Sequence, residues 1–292
     1  MSSAAKTSVP SSLIETGWLA DQLGAPDLRI LDCSVVRKDN PDGSYGFASG
    51  KDNWAKGHIP GSIFVDVLKE LSDPNAKTSL MMPPHEDFAR IMAGRGVGDG
   101  TRVVLYDNSN HAWAARVWWM LRTCGFDNAG VLNGGWNKWL AEGRPNSAED
   151  TRYPEAKFTL SARPELMVTK EQVRDSLGQG SVAIINALSP ESFRGEVVLF
   201  PRPGRIPGSK NVYCQTLVDP KNHNYVDAVR MRQLFEASGA LEADRVITYC
   251  GGGIAASSDA LALTLLGVKN VAVYDGSMSE WTADPNMPLE TE

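Results

Sequence analysis

Cysteine and histidine are both scarce in this chain. Four cysteines (Cys33, Cys124, Cys214, Cys250) and four histidines lie far apart. That spacing excludes a disulfide framework and a zinc ligand set, and it suits a reducing cytosol. Long apolar runs are missing too. No stretch approaches the ~20 residues of a membrane span, and residues 1–12 lack the apolar core of a secretory leader. Positive charge is in deficit, with 29 Lys+Arg against 35 Asp+Glu and a net charge of −6. A general nucleic-acid surface is therefore not expected, although a local basic site for a small anion is compatible with that balance. The expectation is a soluble, cytoplasmic protein with no nucleic-acid or membrane partner.

What is present is 292 residues, 42% of them apolar and 22% charged, a length that suits two cores better than one. The most informative stretch is Val246-Ile247-Thr248-Tyr249-Cys250-Gly251-Gly252-Gly253-Ile254-Ala255-Ala256-Ser257. A β-favouring run ends at a cysteine, three glycines follow, and a helix-forming segment runs over 255–266 to Gly267. Glycines allow a tightly curled backbone, so several N–H groups can point at one centre, and the helix start adds partial positive charge. Such a place favours the thiolate of Cys250, the form that acts as a nucleophile. A buried core cysteine before a plain turn is the competing reading; three consecutive glycines weigh against it.

In chain order, 13–22 reads as a short helix, 28–32 as a strand, and 38–53 as a polar Gly/Asp/Ser/Asn-rich loop. A turn at Gly57-His58-Ile59-Pro60-Gly61-Ser62 follows, then a helix over 86–93, a buried strand over 101–107 and a helix over 112–121. Gly94, Gly96, Gly98 and Gly100 precede a strand and open no helix, so they mark a turn and not a dinucleotide fingerprint. The second half repeats the landmarks. Ile184 lies 154 residues after Ile30, Gly204 lies 147 after Gly57, Val246 lies 143 after Val103, and Gly276 lies 142 after Gly134. The slow drift implies a duplicated α/β domain with loop deletions, each copy a mainly parallel sheet flanked by helices. At the chemical position, copy one has Asp107-Asn108-Ser109-Asn110-His111 and copy two has Cys250-Gly251-Gly252-Gly253-Ile254. One active half and one supporting half are expected.

On Arg116-Val117-Trp118-Trp119-Met120, Leu132-Asn133-Gly134-Gly135, the paired Ile-Pro-Gly-Ser turns and Cys250-Gly251-Gly252-Gly253-Ile254-Ala255-Ala256, the chain resembles the tandem-domain rhodanese-like sulfurtransferases, the family of thiosulfate and 3-mercaptopyruvate sulfurtransferases. Gly143-Arg144-Pro145-Asn146-Ser147, Pro154 and Pro164 mark an extended linker over 143–165, and the resemblance implies a degenerate N-terminal domain over 1–142 and a catalytic C-terminal domain over 166–292. It implies that Cys250 takes a sulfane sulfur from a small anionic donor as a persulfide, held by the N–H groups of Gly251, Gly252, Gly253, Ile254 and Ala255. Cyanide or a thiol, a thioredoxin-like reductant among them, then accepts the sulfur, with no metal or organic cofactor.

The chain departs from the family pattern at several places. Thiosulfate-using relatives carry basic residues directly after the cysteine, and mercaptopyruvate-using relatives carry a serine two positions on; Gly251 and Gly252 stand there instead. The family's substrate arginine falls near Ser192. Arg194, Arg202 and Arg205 are the candidate anion anchors, with solvated surface charge as the alternative role. His58 matches a position proposed to assist in the mercaptopyruvate branch; a structural hydrogen bond is its alternative. Two other functions compete. A cysteine-dependent phosphatase or arsenate reductase needs an arginine six positions after the cysteine, where this chain has Ala256. A non-enzymatic persulfide carrier would use the same cysteine and loop.

Overall fold

The computed structural model describes residues 8–41 and 45–291. The chain divides into two units, one of Met1–Leu71 with Pro83–Ala162 and one of Ser72–Met82 with Arg163–Glu292.

The first unit runs β1 (Leu13–Ile14), α1 (Thr16–Gln22), β2 (Leu28–Asp32), β3 (Val35–Asp39), β4 (Tyr45–Ser49), α2 (Lys51–Trp54), β5 (Ser62–Phe64), α3 (His85–Gly94), β6 (Arg102–Tyr106), α4 (Ala112–Thr123), β7 (Ala129–Leu132) and α5 (Gly135–Ala141). The second runs β8 (Met167–Val168), α6 (Lys170–Asp175), β9 (Val182–Asn186), α7 (Pro190–Phe193), β10 (Lys210–Asn211), α8 (Ala228–Glu236), β11 (Arg245–Tyr249), α9 (Ile254–Leu265), β12 (Val271–Tyr274) and α10 (Ser277–Ala283). Strand order is β1-β7-β6-β2-β5 in one sheet and β8-β12-β11-β9-β10 in the other, and every pairing within them is parallel. All five residues of β2 and of β6 are buried, as a parallel sheet covered on both faces requires.

The duplication reaches individual hydrogen bonds. Tyr106 Oη bonds Ser62 Oγ and accepts from Ile59 N–H; Tyr249 Oη does the same with Ser209 Oγ and Ile206 N–H. Trp139 Nε1 donates to Pro145 O and Trp281 Nε1 to Pro288 O, both at 2.7 Å. Both indoles are fully buried in their unit's core, where loss of a tryptophan costs about 3–5 kcal/mol.

Three expectations change. Residues 13–14 are not helical but form an edge strand, Leu13 opposite Val131 and Ile14 opposite Leu132; pairing with β7 satisfies their backbone, and the helix starts only at Thr16. The polar stretch 38–53 is largely an antiparallel hairpin, β3 with β4, followed by α2; residues 42–44 lie outside the described residues. Aromatic contacts hold it: Phe47 meets Trp113 edge-on at 5.2 Å, and Arg37 lies 4.1 Å over the Tyr45 ring. The stretch 143–165 is extended, but up to Ala162 it is strapped to the first unit. Tyr153 Oη donates to Gly61 O, Asp99 N–H to Lys157 O and Ser161 N–H to Cys124 O. A Cβ at Gly98 or Gly125 would collide with this strap's backbone, which is the close approach those glycines allow.

Candidate active site

Strand β11 delivers Cys250 to the carboxyl edge of the second sheet, where α9 begins. Cys250 is 2% exposed, while Gly251, Gly252, Ile254 and Ala255 are partly exposed. Gly253 caps α9 in the left-handed region at φ 78°, a conformation costly to any residue with a Cβ. The loop is pinned from behind. Ser277 Oγ accepts from Cys250 N–H at 3.0 Å and Gly253 N–H at 3.2 Å and donates to Tyr274 O at 2.7 Å. Cys250 O and Gly251 O accept from Met278 and Ser279 N–H of α10. With these groups tied to α10, the N–H groups of Gly251, Gly252, Ile254, Ala255 and Ala256 have no acceptor among the described residues. Of the five amides expected to form the cradle, that of Gly253 is engaged by Ser277, and Ala256, not among the five, also has a backbone N–H without an acceptor among the described residues.

Copy one shows what such a ring holds. Asp107 follows β6 as Cys250 follows β11. Its Oδ1 accepts from Ser109 N–H at 2.8 Å and His111 N–H at 3.2 Å, and its Oδ2 from Trp113 N–H at 3.1 Å and Ala114 N–H at 3.0 Å. The cap of α4, His111, is left-handed at φ 67°, like Gly253. Because α4 starts at Ala112 and α9 at Ile254, Trp113 and Ala114 correspond to Ala255 and Ala256. A carboxylate therefore occupies the amide ring of the first unit. In the second unit Cys250 stands at the position equivalent to Asp107, at the end of β11 and before the equivalent amides.

Burial pushes Cys33 and Cys214 well above the ordinary thiol range, and pushes Cys124 up to about 12. No group of three or more His, Cys, Asp or Glu residues among those described is placed to hold a metal ion, and none of the described helices is long and apolar enough to cross a membrane.

The candidate anion anchors have other partners. The Arg202 guanidinium donates to four carbonyls, those of Trp281, Thr282, Asp284 and Met287. Arg205 pairs with Glu290 at 2.7 Å and lies 4.6 Å over the Phe193 ring. Arg194 forms a forked pair with Glu196. In the first unit, His58 is fully buried, bonds Trp54 O through Nδ1 and Glu149 O through Nε2, and stacks on Trp54 at 4.2 Å. His58 and Arg205 are equivalent, 147 residues apart. Each is bridged through its backbone to the tail beyond the last helix of its unit, at Ser147 and Glu290. These contacts are those of clamps.

The Cys250 loop is flanked by two apolar side chains and one backbone carbonyl. A Cβ built on Gly251 would stand 3.1 Å from Phe200 Cζ, and one on Gly252 would stand 3.8 Å from Ser79 O and 3.9 Å from Leu80 Cδ1. Leu80 arrives on the Ser72–Met82 segment, which belongs to the second unit and donates Met82 N–H to Asp275 Oδ2 at 2.8 Å. Sequence reasoning missed Ser277, Ala256, Phe200 and Leu80. A signal for Ser277 was present, because copy one has Gly135 there and both positions lie at positive φ, 49° and 52°. A serine standing in that unfavourable region, with its hydroxyl bonded to two loop amides, marks a group the loop depends on.

A duplicated parallel α/β unit, with a cysteine before the helix in one copy where the other has an aspartate held by backbone amides, defines a two-repeat fold with one distinctive half. The chain belongs to the rhodanese-like domain family, which matches residues 15–142 and 169–284. It is 32% identical over 280 residues to 3-mercaptopyruvate sulfurtransferase of Escherichia coli K12, covering 94% of this chain and 95% of that one. It is 31% identical to thiosulfate sulfurtransferase of Cricetulus griseus, covering 92% and 91%. The crystal structure of SseA from Escherichia coli superposes with a TM-score of 0.81 at 30% identity, over 92% of this chain and all of that one. On this footing the chain is a sulfurtransferase.

Proposed function

We propose that Cys250 carries the transferred sulfur as a persulfide, taking it from thiosulfate or 3-mercaptopyruvate and passing it to cyanide or a thiol. The observation that carries this reading is the Asp107 carboxylate in the amide ring of the first unit. A carboxylate oxygen is two bonds from Cβ, as is the outer sulfur of a cysteine persulfide. A persulfide anion on Cys250 therefore takes the position for which the ring is shaped.

With thiosulfate, the Cys250 thiolate attacks the outer sulfur. A new S–S bond forms on Cys250, the donor's S–S bond breaks, and sulfite leaves with the electron pair. The N–H groups of Gly251, Gly252, Ile254, Ala255 and Ala256 stabilise the negative charge before and after transfer without reorganising. Cyanide or a thiolate then attacks the same outer sulfur, and Cys250 departs as thiolate. The free enzyme returns, with ping-pong kinetics. Steady-state turnover of thiosulfate with cyanide, and of 3-mercaptopyruvate with a thiol, tests the reading. Cys250→Ser abolishes both reactions; turnover retained in that variant refutes the mechanism. A protein that loads sulfur on Cys250 yet turns over with neither acceptor is a carrier.

A further inference from the structure

The two flanks of the Cys250 loop have a consequence for the donor. The edge of the Phe200 ring occupies the space a side chain at position 251 would need, at 3.1 and 3.4 Å from the Cβ position, and Leu80 borders position 252 from another side. Leu80 holds a left-handed backbone at φ 68°, strain for a residue with a branched side chain, and in that conformation its side chain faces the loop. Phe200 is continuous with Val197, Val198 and Leu199, exposed by 46, 60 and 44%. The arginines of the same unit closest to it in sequence are bound elsewhere, Arg194 to Glu196 and Arg202 to backbone carbonyls. Charge at this site is thus left to the backbone amides of the loop, and the side chains of Phe200 and Leu80 border it beside the Ser79 carbonyl.

We infer that Phe200, with Leu80, is a specificity-determining wall that selects donors whose sulfane sulfur is attached to an apolar organic group, such as thiosulfonates, over inorganic thiosulfate. The inference rests on the Cys250 reading above. The step is balanced in the same way: the Cys250 thiolate bonds to the terminal sulfur of R–SO2–S−, that sulfur's bond to the sulfonyl sulfur breaks, and the sulfinate R–SO2− leaves with the electron pair. The anionic sulfur enters the amide ring while R packs on Phe200. Thiosulfate meets the same amides without a group to fill the wall. An aromatic contact of this kind is worth about tenfold in affinity.

The test compares kcat/KM for benzenethiosulfonate and thiosulfate, both with cyanide, in the wild type and in Phe200→Ala, Phe200→Leu and Leu80→Gly, with circular dichroism confirming the fold. The wild type prefers benzenethiosulfonate by about tenfold or more. Phe200→Ala removes about tenfold of that preference through the KM of the aromatic donor, Phe200→Leu keeps most of it, and Leu80→Gly, which suits the left-handed backbone, lowers it. Equal use of the two donors by the wild type overturns the inference. So does an equal loss on both donors in Phe200→Ala, which marks a packing role. Either result leaves the Cys250 chemistry intact; a wild type that uses neither donor but turns over 3-mercaptopyruvate overturns the inference alone, and one that uses none of the three removes both readings.

Discussion

Asp32→Asn removes one ionisation and leaves the shape of the first unit's core unchanged. Asp32 ends β2 and is 4% exposed, with Oδ1 accepting Ser34 N–H at 2.8 Å. In the second unit the equivalent residue is Asn186, whose Oδ1 accepts Leu188 N–H at the same 2.8 Å, so the fold already accommodates an amide there. Burial, with the neighbouring Asp107 carboxylate adding to it, raises the Asp32 carboxyl from 3.8 to about 6. The folded state therefore favours the protonated acid. Below 3.8 the group is neutral in both states and costs nothing. As pH rises from 3.8 to about 6 the unfolded chain ionises first and stability falls, and above about 6 the loss is complete. A shift of about two units corresponds to about 3 kcal/mol. Near neutral pH, Asp32→Asn is therefore more stable than the wild type by up to about 3 kcal/mol, and the gain vanishes in acid. Urea unfolding at a series of pH values, followed by the tryptophans of the first unit, measures the difference. Curves for the two proteins that run parallel across this range refute the reasoning.

Removal of the hydroxyl in Ser277→Ala leaves the Cys250 and Gly253 amides without their acceptor. Stability falls by about 1–3 kcal/mol in denaturant titrations, and sulfur transfer falls by about ten- to a hundredfold as the ring loosens; unchanged turnover contradicts the positioning role. Asp107→Ala strips four backbone N–H groups of a buried anion and destabilises the first unit by about 3–5 kcal/mol, read by thermal unfolding. A loss under 1 kcal/mol contradicts a ring shaped for charge. Cys33→Ser, Cys124→Ser and Cys214→Ser each keep at least about half of the transfer activity, because buried thiols with raised pKa are inert; abolished activity in a well-folded variant points to a second essential sulfur.

The duplication, the parallel sheets and the strand–loop–helix around Cys250 were legible because each depends on local pattern. Apolar strand runs recur at a slowly drifting offset, and a Cys-Gly-Gly-Gly run before a helix has few structural readings. What was not legible depends on pairing at a distance. Leu13 and Ile14 take a strand conformation only because β7 offers an open edge 118 residues later, Leu13 facing Val131. The hairpin β3–β4 is stabilised by Phe47 against Trp113, a contact with no sequence signature. The arginines illustrate the same limit. Their number and position suggested anion anchors, but a guanidinium binds whichever acceptors fold close to it, and for Arg202 these are four carbonyls around the end of α10. Phe200 gave no signal because its approach to the loop depends on the absence of a side chain at Gly251.

A crystal structure of the protein frozen after treatment with a sulfane donor addresses the ring of amides directly. The account predicts one added sulfur on Cys250, with its outer atom facing the N–H groups of Ile254, Ala255 and Ala256 as the Asp107 carboxylate faces those of Trp113 and Ala114. An outer sulfur turned away from those amides, or added sulfur found on Cys33, Cys124 or Cys214 instead, would contradict it.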